Sequence, residues 1–286
     1  MIEAKPLRSA LFLPASNPRA IEKARTLPAD AVILDLEDAV APEMKDSARA
    51  AAAEAFSSAG FGQRTMVLRV NGLDTPWGLA DLKAATQMPV DAVLAPKVNG
   101  PQDIDMLDAE LADAPASLGL WVMIETCLAI GQLQAIADRA PHGRLRGFVV
   151  GTNDLALELR ARVTPDRVGM MPYLALALAA ARSRGLIALD GVCNDFADLD
   201  RFRAEAAQGL AMGFDGKTLI HPAQIDPCNA VFSPTADEIA RARAIADAFA
   251  LPDHAGKGAI RLDGRMVERL HLKEAERVLA MAAAIG

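Results

Sequence analysis

Cysteine and histidine are scarce in this 286-residue chain, with three of the first and four of the second, and each shortage removes a class of chemistry. Cys127, Cys193 and Cys228 are odd in number and widely spaced, with no C-x-x-C pair, so neither a zinc site nor a redox pair is indicated and buried thiols are expected. His142, His221, His254 and His271 lack H-E-x-x-H or comparable spacing, which disfavours zinc; His221, preceding Pro222, is expected to be structural. No Lys/Arg cluster with interleaved aromatics occurs and the formal net charge is −7, so the electrostatic footprint of a DNA or RNA binder is missing. Long apolar runs are lacking too. The longest near the middle, Tyr173 to Ala181, falls far short of the roughly 20 residues that span a bilayer, and reads as a buried helix. The first residues, M-I-E-A-K-P-L-R-S, have neither a secretory apolar region nor a Ser/Arg-rich transit pattern, so a cytoplasmic location is expected.

What remains is a globular composition, 52% apolar and 23% charged. Eight short apolar, β-branched runs recur: Ala10–Pro14, Ala31–Leu36, Met66–Val70, Ala92–Ala95, Leu120–Ile124, Gly147–Val150, Ile187–Leu189 and Thr218–Ile220. Between them lie Ala-rich segments of helical spacing, such as Lys45–Phe56, Trp77–Thr86, Gln102–Leu111, Leu128–Ala137, Tyr173–Ser183 and Leu199–Gln208. Strands apolar throughout, rather than alternately, belong to a parallel sheet covered on both faces, with helices as crossovers. Eight such units predict a (β/α)8 TIM barrel. The alternative, an open doubly wound sheet, lacks the G-x-G-x-x-G that would follow its first strand. A helix over Thr235–Ala250, a Gly-containing link and an amphipathic segment over Met266–Ala284 are extra to the barrel. The expected organisation is therefore a catalytic barrel over residues 1–234 and a C-terminal helical extension, or lid, over 235–286.

Barrel enzymes carry their sites at the C-terminal ends of the strands. Glu37 and Asp38 end the second run, Arg69 and Asn71 the third, Lys97 the fourth, Glu125 and Thr126 the fifth; Asn153 and Asp154 follow the sixth, and His221 ends the eighth. Each has a plain structural alternative: Glu125 could cap the next helix, Asp154 could form an Asx-turn with Asn153, Arg69 could pair with Glu37. Together they would converge on one acidic mouth. Separated carboxylates without a His or Cys cluster suit Mg²⁺, which takes one or two protein carboxylates plus water and substrate oxygens. Arg69 is the candidate anion clamp, because a guanidinium fork matches a carboxylate or a developing enolate.

The motifs R-S-A-L-F-L-P-A-S-N, A-V-I-L-D-L-E-D-A-V-A-P-x-x-K-x-x-A-R, L-R-V-N, A-P-K-V, I-E-T, G-T-N-D-L and G-K-T-L-I-H-P-A-Q-I together resemble the CitE-like branch of the HpcH/HpaI aldolase and citrate lyase β family. The resemblance runs from Arg8 to about residue 280. It implies a Mg²⁺-dependent acyl-CoA lyase on a TIM barrel, assembled as a homotrimer or dimer of trimers. It further implies Glu125 and Asp154 as metal ligands, Arg69 on the substrate carboxyl or thioester oxygen, and Glu37 and Asp38 hydrogen-bonding metal-bound water. Arg19 and Lys23 would meet the CoA phosphates, with Phe12 lining the same approach and Thr218 on the cofactor side of the pocket. The family's tail delivers a carboxylate to a neighbouring subunit, commonly the Asp of M-I-D. Here the letters are Met266-Val267-Glu268, so the role falls to the longer Glu268 or moves to Asp263.

The reaction so implied is cleavage of a 3-hydroxyacyl-CoA, of citramalyl-CoA or malyl-CoA type, to acetyl-CoA and a keto acid, with citramalyl-CoA the favoured substrate. Two alternatives stand beside it: a citrate lyase β subunit acting on an acyl-carrier-protein thioester, and a non-catalytic protein that binds CoA or a dicarboxylate.

Overall fold

A computed structural model describes residues 5–58 and 60–285. The chain divides into two compact units, Leu7–Phe232 and a second containing residues 233–285.

The first unit is a closed barrel of eight parallel strands in sequential order. They are β1 (Ser9–Pro14), β2 (Ala31–Asp35), β3 (Thr65–Arg69), β4 (Ala92–Ala95), β5 (Gly119–Ile124), β6 (Leu145–Val150), β7 (Ile187–Asp190) and β8 (Gly216–Leu219). The connecting helices are α1 (Pro18–Ala24), α2 (Lys45–Ser57), α3 (Gly78–Ala85), α4 (Pro101–Glu110), α5 (Cys127–Gly131), α6 (Leu133–Ala137), α7 (Thr152–Leu159), α8 (Met171–Ser183) and α9 (Leu199–Met212), with α10 (Ile225–Phe232) after β8. The TIM barrel expected from the alternating pattern is therefore present, and the open sheet is not.

Strand alternation sorts the core into two parts. Ile33, Val67, Leu94, Trp121, Met123, Val149 and Leu189 fill the barrel interior. Val32, Leu34, Leu68, Val93, Val122 and Phe148 belong to the larger cluster that joins the sheet to the helices. Burying each such Leu, Ile or Val contributes roughly 1.5–3 kcal/mol. The site inherits its geometry from this parity: residue 35 follows 33, residue 69 follows 67 and residue 125 follows 123 onto the inward face.

Two local expectations change. The helix expected over Leu128–Ala137 is broken into α5 and α6 at Gln132, whose backbone leaves the helical region (φ −127°, ψ 14°). Gly131 just before it favours helix poorly, and the Gln132 side chain donates to the Asn99 carbonyl at 3.1 Å.

The second unit holds α11 (Ala236–Ala250), a two-stranded antiparallel sheet of β9 (Ala259–Leu262) and β10 (Arg265–Glu268), and α12 (Arg269–Ile285). The amphipathic segment expected from Met266 thus begins as a strand. Asp263 and Gly264, at φ +46° and +77°, form the two-residue turn for which Asp-Gly is the strongest short signal. Ile245, Phe249, Ile260, Val267 and Ala275 form this unit's own core. Among the described residues, no helix is long and apolar enough to cross a membrane.

Candidate active site at the barrel mouth

Asp35 and Arg69 are register partners on β2 and β3, and both point inward above the apolar filling. The guanidinium is held bidentately: Nε donates to Asp35 Oδ1 and Nη2 to Asp35 Oδ2, each at 2.6 Å. Its remaining amino group, Nη1, lies 2.8 Å from Glu37 Oε2 and 3.8 Å from Asp38 Oδ2. The Phe12 ring packs against the guanidinium with its centroid 5.0 Å away. Burial works against the Arg69 charge, but the hydrogen bonds and charge of Asp35 outweigh it and raise the pKa above its ordinary value. Arg69 is therefore a clamp whose fork is already filled by Asp35, with one amino group turned to the mouth. Asp35 also accepts from the backbone N–H groups of Glu37 and Ala39, which bends the chain as β2 ends.

Glu37 and Glu125 are both buried, and burial pushes each carboxyl up to about 7. For Glu37 burial prevails over the Arg69 contact, because that one cation is shared among three carboxylates. The contact is an ion pair without hydrogen-bond geometry, so Glu37 Oε2 has no hydrogen-bond partner. Glu125 does not cap the following helix. Thr126 does, accepting from the Ala129 N–H at 3.1 Å. Glu125 Oε1 instead accepts from the Lys97 backbone N–H at 2.7 Å, and Lys97 holds the left-handed φ of +52° that few non-glycine residues adopt outside constrained sites. The Lys97 ammonium lies 3.6 Å from Glu37 Oε1. Burial opposes its charge, while Glu37, Asp38, Asp154 and Glu125 together outweigh that and raise its pKa.

Asp154 sits in the first turn of α7, half-buried, facing the cavity. Its neighbour Asn153 exchanges amide hydrogen bonds with Asn194. A cavity of about 390 Å³ opens here, lined among others by Phe12, Asp35, Asp38, Arg69, Asp154 and Thr218. Among the described residues, no Ser, Cys or His lines it, and no group of three or more His, Cys, Asp or Glu converges as a metal centre.

Gly151 makes room for this arrangement. A Cβ there would stand 2.4 Å from Glu125 Oε2 and 2.5 Å from Glu125 Cβ. Gly151→Ala is expected to force Glu125 aside and to destabilise the barrel by about 1–3 kcal/mol. Urea unfolding would measure this, and a midpoint equal to the parent's would show that Glu125 yields without cost.

Of the residues singled out from sequence, the mouth gathers Phe12, Glu37, Asp38, Arg69, Glu125, Asp154 and Thr218. Thr218 has its hydroxyl committed, donating to the Asp190 carbonyl at 3.1 Å. Arg19 and Lys23 are exposed one turn apart on α1, just after β1. Glu268 belongs to the C-terminal unit, where its backbone N–H donates to His271 Nδ1 at 2.9 Å; Asp263 is taken up in the β9–β10 turn. His221 caps the turn after β8, its Nδ1 accepting from the Ala223 N–H, and stacks on Phe196. Asp35, for which the sequence leads one to expect a buried hydrogen-bonding role and nothing finer, is 1% exposed and has that role, its partner being the Arg69 fork. Its signal was inward parity with Ile33 and alignment with Arg69, which needs the register.

The mouth has five carboxylates, Asp35, Glu37, Asp38, Glu125 and Asp154, against two cations, Arg69 and Lys97, a formal excess of three negative charges. With two of those carboxyls buried and raised to about 7, the donor set is all oxygen and short of positive charge. That fits a hard divalent cation.

Comparison with known proteins agrees with this picture. The chain is 49% identical over 284 residues to a (3S)-malyl-CoA thioesterase of Cereibacter sphaeroides strain KD131, covering 99% of this chain and 97% of the other. It is 34% identical to the citrate lyase subunit beta of Escherichia coli K12, covering 98% and 94%. Among solved structures, CitE of Mycobacterium tuberculosis in complex with magnesium, acetoacetate and coenzyme A superposes with a TM-score of 0.78 at 28% identity, covering 99% of this chain and all of the other. The sequence profile of HpcH/HpaI aldolase/citrate lyase matches residues 8–222, and on these grounds the chain belongs to that family.

Proposed function

We propose that this chain is a Mg²⁺-dependent enzyme of malyl-CoA-type thioesters, and that it hydrolyses the thioester. The observation that carries this is the 49% identity, across nearly the whole of both chains, to a (3S)-malyl-CoA thioesterase. The mouth supports it: charged oxygen donors, one guanidinium and, among the described residues, no Ser, Cys or His on the cavity wall suit attack by water rather than a Ser- or Cys-bound acyl-enzyme.

Glu125 and Asp154 would hold Mg²⁺, which when bound draws charge from substrate oxygens and acidifies water. Glu37, whose carboxyl is pushed to about 7 by burial, accepts the proton of the attacking water as its oxygen bonds to the thioester carbon. The Arg69 amino group that faces the mouth balances the charge that forms on the carbonyl oxygen. When the carbon–sulfur bond breaks, the CoA sulfur recovers the proton from Glu37, leaving a free acid and CoA. Asp38 orients water at the rim. Phe12, Arg19 and Lys23 receive the CoA moiety, the two cations meeting its phosphates, and Thr218 shapes the pocket floor.

A second reading is carbon–carbon cleavage to acetyl-CoA and a keto acid, favoured by the 34% identity to a citrate lyase subunit beta. There Glu268, supplied by the tail within a homotrimer or dimer of trimers, protonates the enolate carbon. Malyl-CoA and citramalyl-CoA differ by one methyl group, worth only about 1–3 kcal/mol of discrimination, so both belong in the assay.

Incubation with either thioester and Mg²⁺ separates the readings. Free thiol without keto acid means hydrolysis, keto acid without free thiol means cleavage, and neither, with CoA binding retained, means a non-catalytic binder. EDTA is expected to abolish turnover. Glu125→Gln should weaken Mg²⁺ binding by at least about 100-fold in titration calorimetry; full affinity in that variant would remove Glu125 from the metal.

A further inference from the structure

Lys45, the first residue of α2, is 5% exposed, and its ammonium makes buried hydrogen bonds. Burying an ammonium is costly unless it is well compensated, yet among the described residues no carboxylate pairs with it. All three of its protons go to neutral oxygens: the Leu36 carbonyl at 2.8 Å, the Glu37 carbonyl at 2.8 Å and Asn71 Oδ1 at 2.7 Å. Helix stability does not explain the placement, since a positive charge at a helix N-terminus opposes the macrodipole. The Trp77 ring, with its centroid 5.2 Å from the ammonium, adds a cation–π contact.

The two carbonyls explain it. The Leu36 N–H still bonds across to the Arg69 carbonyl at 2.9 Å, but past Asp35 the chain leaves the ladder and its carbonyls lose their neighbours in the sheet. Those oxygens belong to Leu36 and to Glu37, whose carbonyl also accepts from the Val40 N–H at 3.0 Å in the turn that follows. Asn71 reinforces the hold, donating from Nδ2 to the Leu36 carbonyl at 3.0 Å and to Asp81 Oδ2 at 2.6 Å. Asp81 is itself fixed by Arg49 at 2.6 Å.

We propose that Lys45 is a positioning residue for the reaction: by clamping the Leu36 and Glu37 carbonyls it sets the Glu37 carboxylate against the Arg69 guanidinium. This rests on the reading of Glu37 as the proton acceptor. Lys45 touches no substrate and acts through the backbone that carries Glu37.

The test is a double-mutant cycle on malyl-CoA turnover with Lys45→Met, Glu37→Gln and the pair. Lys45→Met is expected to lower kcat on the order of 100-fold, the scale of a small misplacement of a reacting group, with KM within about threefold of the parent. In the Glu37→Gln background the same substitution should lower kcat by less than about threefold. Equal losses in both backgrounds, with Glu37→Gln itself impaired, would overturn the inference and leave the reading of Glu37 standing. An unimpaired Glu37→Gln would overturn both. If Lys45→Met does not fold, Asn71→Ser runs through the same cycle, with the loss of kcat again expected to vanish when Glu37 is absent and its persistence again overturning the proposal.

Discussion

Replacing Arg69 by methionine is expected to cost the protein its turnover and about 3–5 kcal/mol of stability together. The stability loss follows from Asp35, which is 1% exposed and whose two oxygens are both held by the guanidinium at 2.6 Å. Removing one partner of a buried pair leaves a charge without compensation, and losses of that size are typical. The rate loss follows from the amino group facing the mouth, because removing one donor that balances transition-state charge costs on the order of 100- to 1,000-fold. Lysine is no substitute, since a single ammonium cannot meet both Asp35 oxygens and still face the cavity. The two effects separate in the double variant Asp35→Asn with Arg69→Met, which removes the orphaned charge and keeps an oxygen to accept from the Glu37 N–H. Urea unfolding of that variant should recover most of the stability, while kcat/KM on malyl-CoA stays at the level of Arg69→Met. If turnover returned with stability, the guanidinium would be scaffolding alone.

The strands were legible because a barrel strand is apolar on both faces, so runs such as Ala31–Leu34 stand out without any alternation to decode. The polar residues ending them were legible as a group for the same reason: they interrupt the run where the strand leaves the sheet. Pairings across strands were not. That Asp35 rather than Glu37 fills the Arg69 fork depends on the alignment of β2 with β3, and no single run contains that information. Lys45 was visible only as a letter in A-P-x-x-K, because its partners are backbone carbonyls nine and eight residues earlier. The break at Gln132 had only Gly131 as a local signal, a weak one inside a run of helix formers. The β9–β10 hairpin did carry a signal, Leu262-Asp263-Gly264-Arg265, but the helical periodicity beyond it extended too far back.

Asp190→Asn is expected to destabilise the barrel by about 3–5 kcal/mol near neutral pH, although Asp190 is remote in sequence from every charge it meets. It is a register partner of Lys217, and both are fully buried. Lys217 Nζ lies 3.0 Å from Asp190 and 2.7 Å from Glu205, and donates as well to the Gly191 carbonyl. Arg167 Nη1 reaches both Asp190 oxygens at 2.8 Å. Two cations thus balance two carboxylates, and the asparagine variant leaves one positive charge in excess. The pH dependence has a definite sign. Burial disfavours the Asp190 carboxylate, but Lys217 and Arg167 outweigh it and hold its pKa below the ordinary value. A lowered folded pKa contributes stability above the unfolded value, about 3.9, and loses it as pH falls through the folded one. The gap between parent and Asp190→Asn should therefore be level from about pH 5 to neutrality and narrow in acid below about pH 4. Lys217 behaves oppositely. Burial lowers its pKa, Asp190 and Glu205 outweigh that and raise it, so its contribution is complete below about 10.4 and is lost as pH rises through the folded value. Urea unfolding across pH measures both limbs, and a gap that stayed level well below pH 3 would show that the Asp190 charge is not what the cluster needs. Adding Lys217→Met to Asp190→Asn restores the charge balance, leaving Arg167 facing Glu205 at 3.7 Å. The double variant should therefore lose less than the sum of the two single losses, because each single change strands a charge that the pair removes.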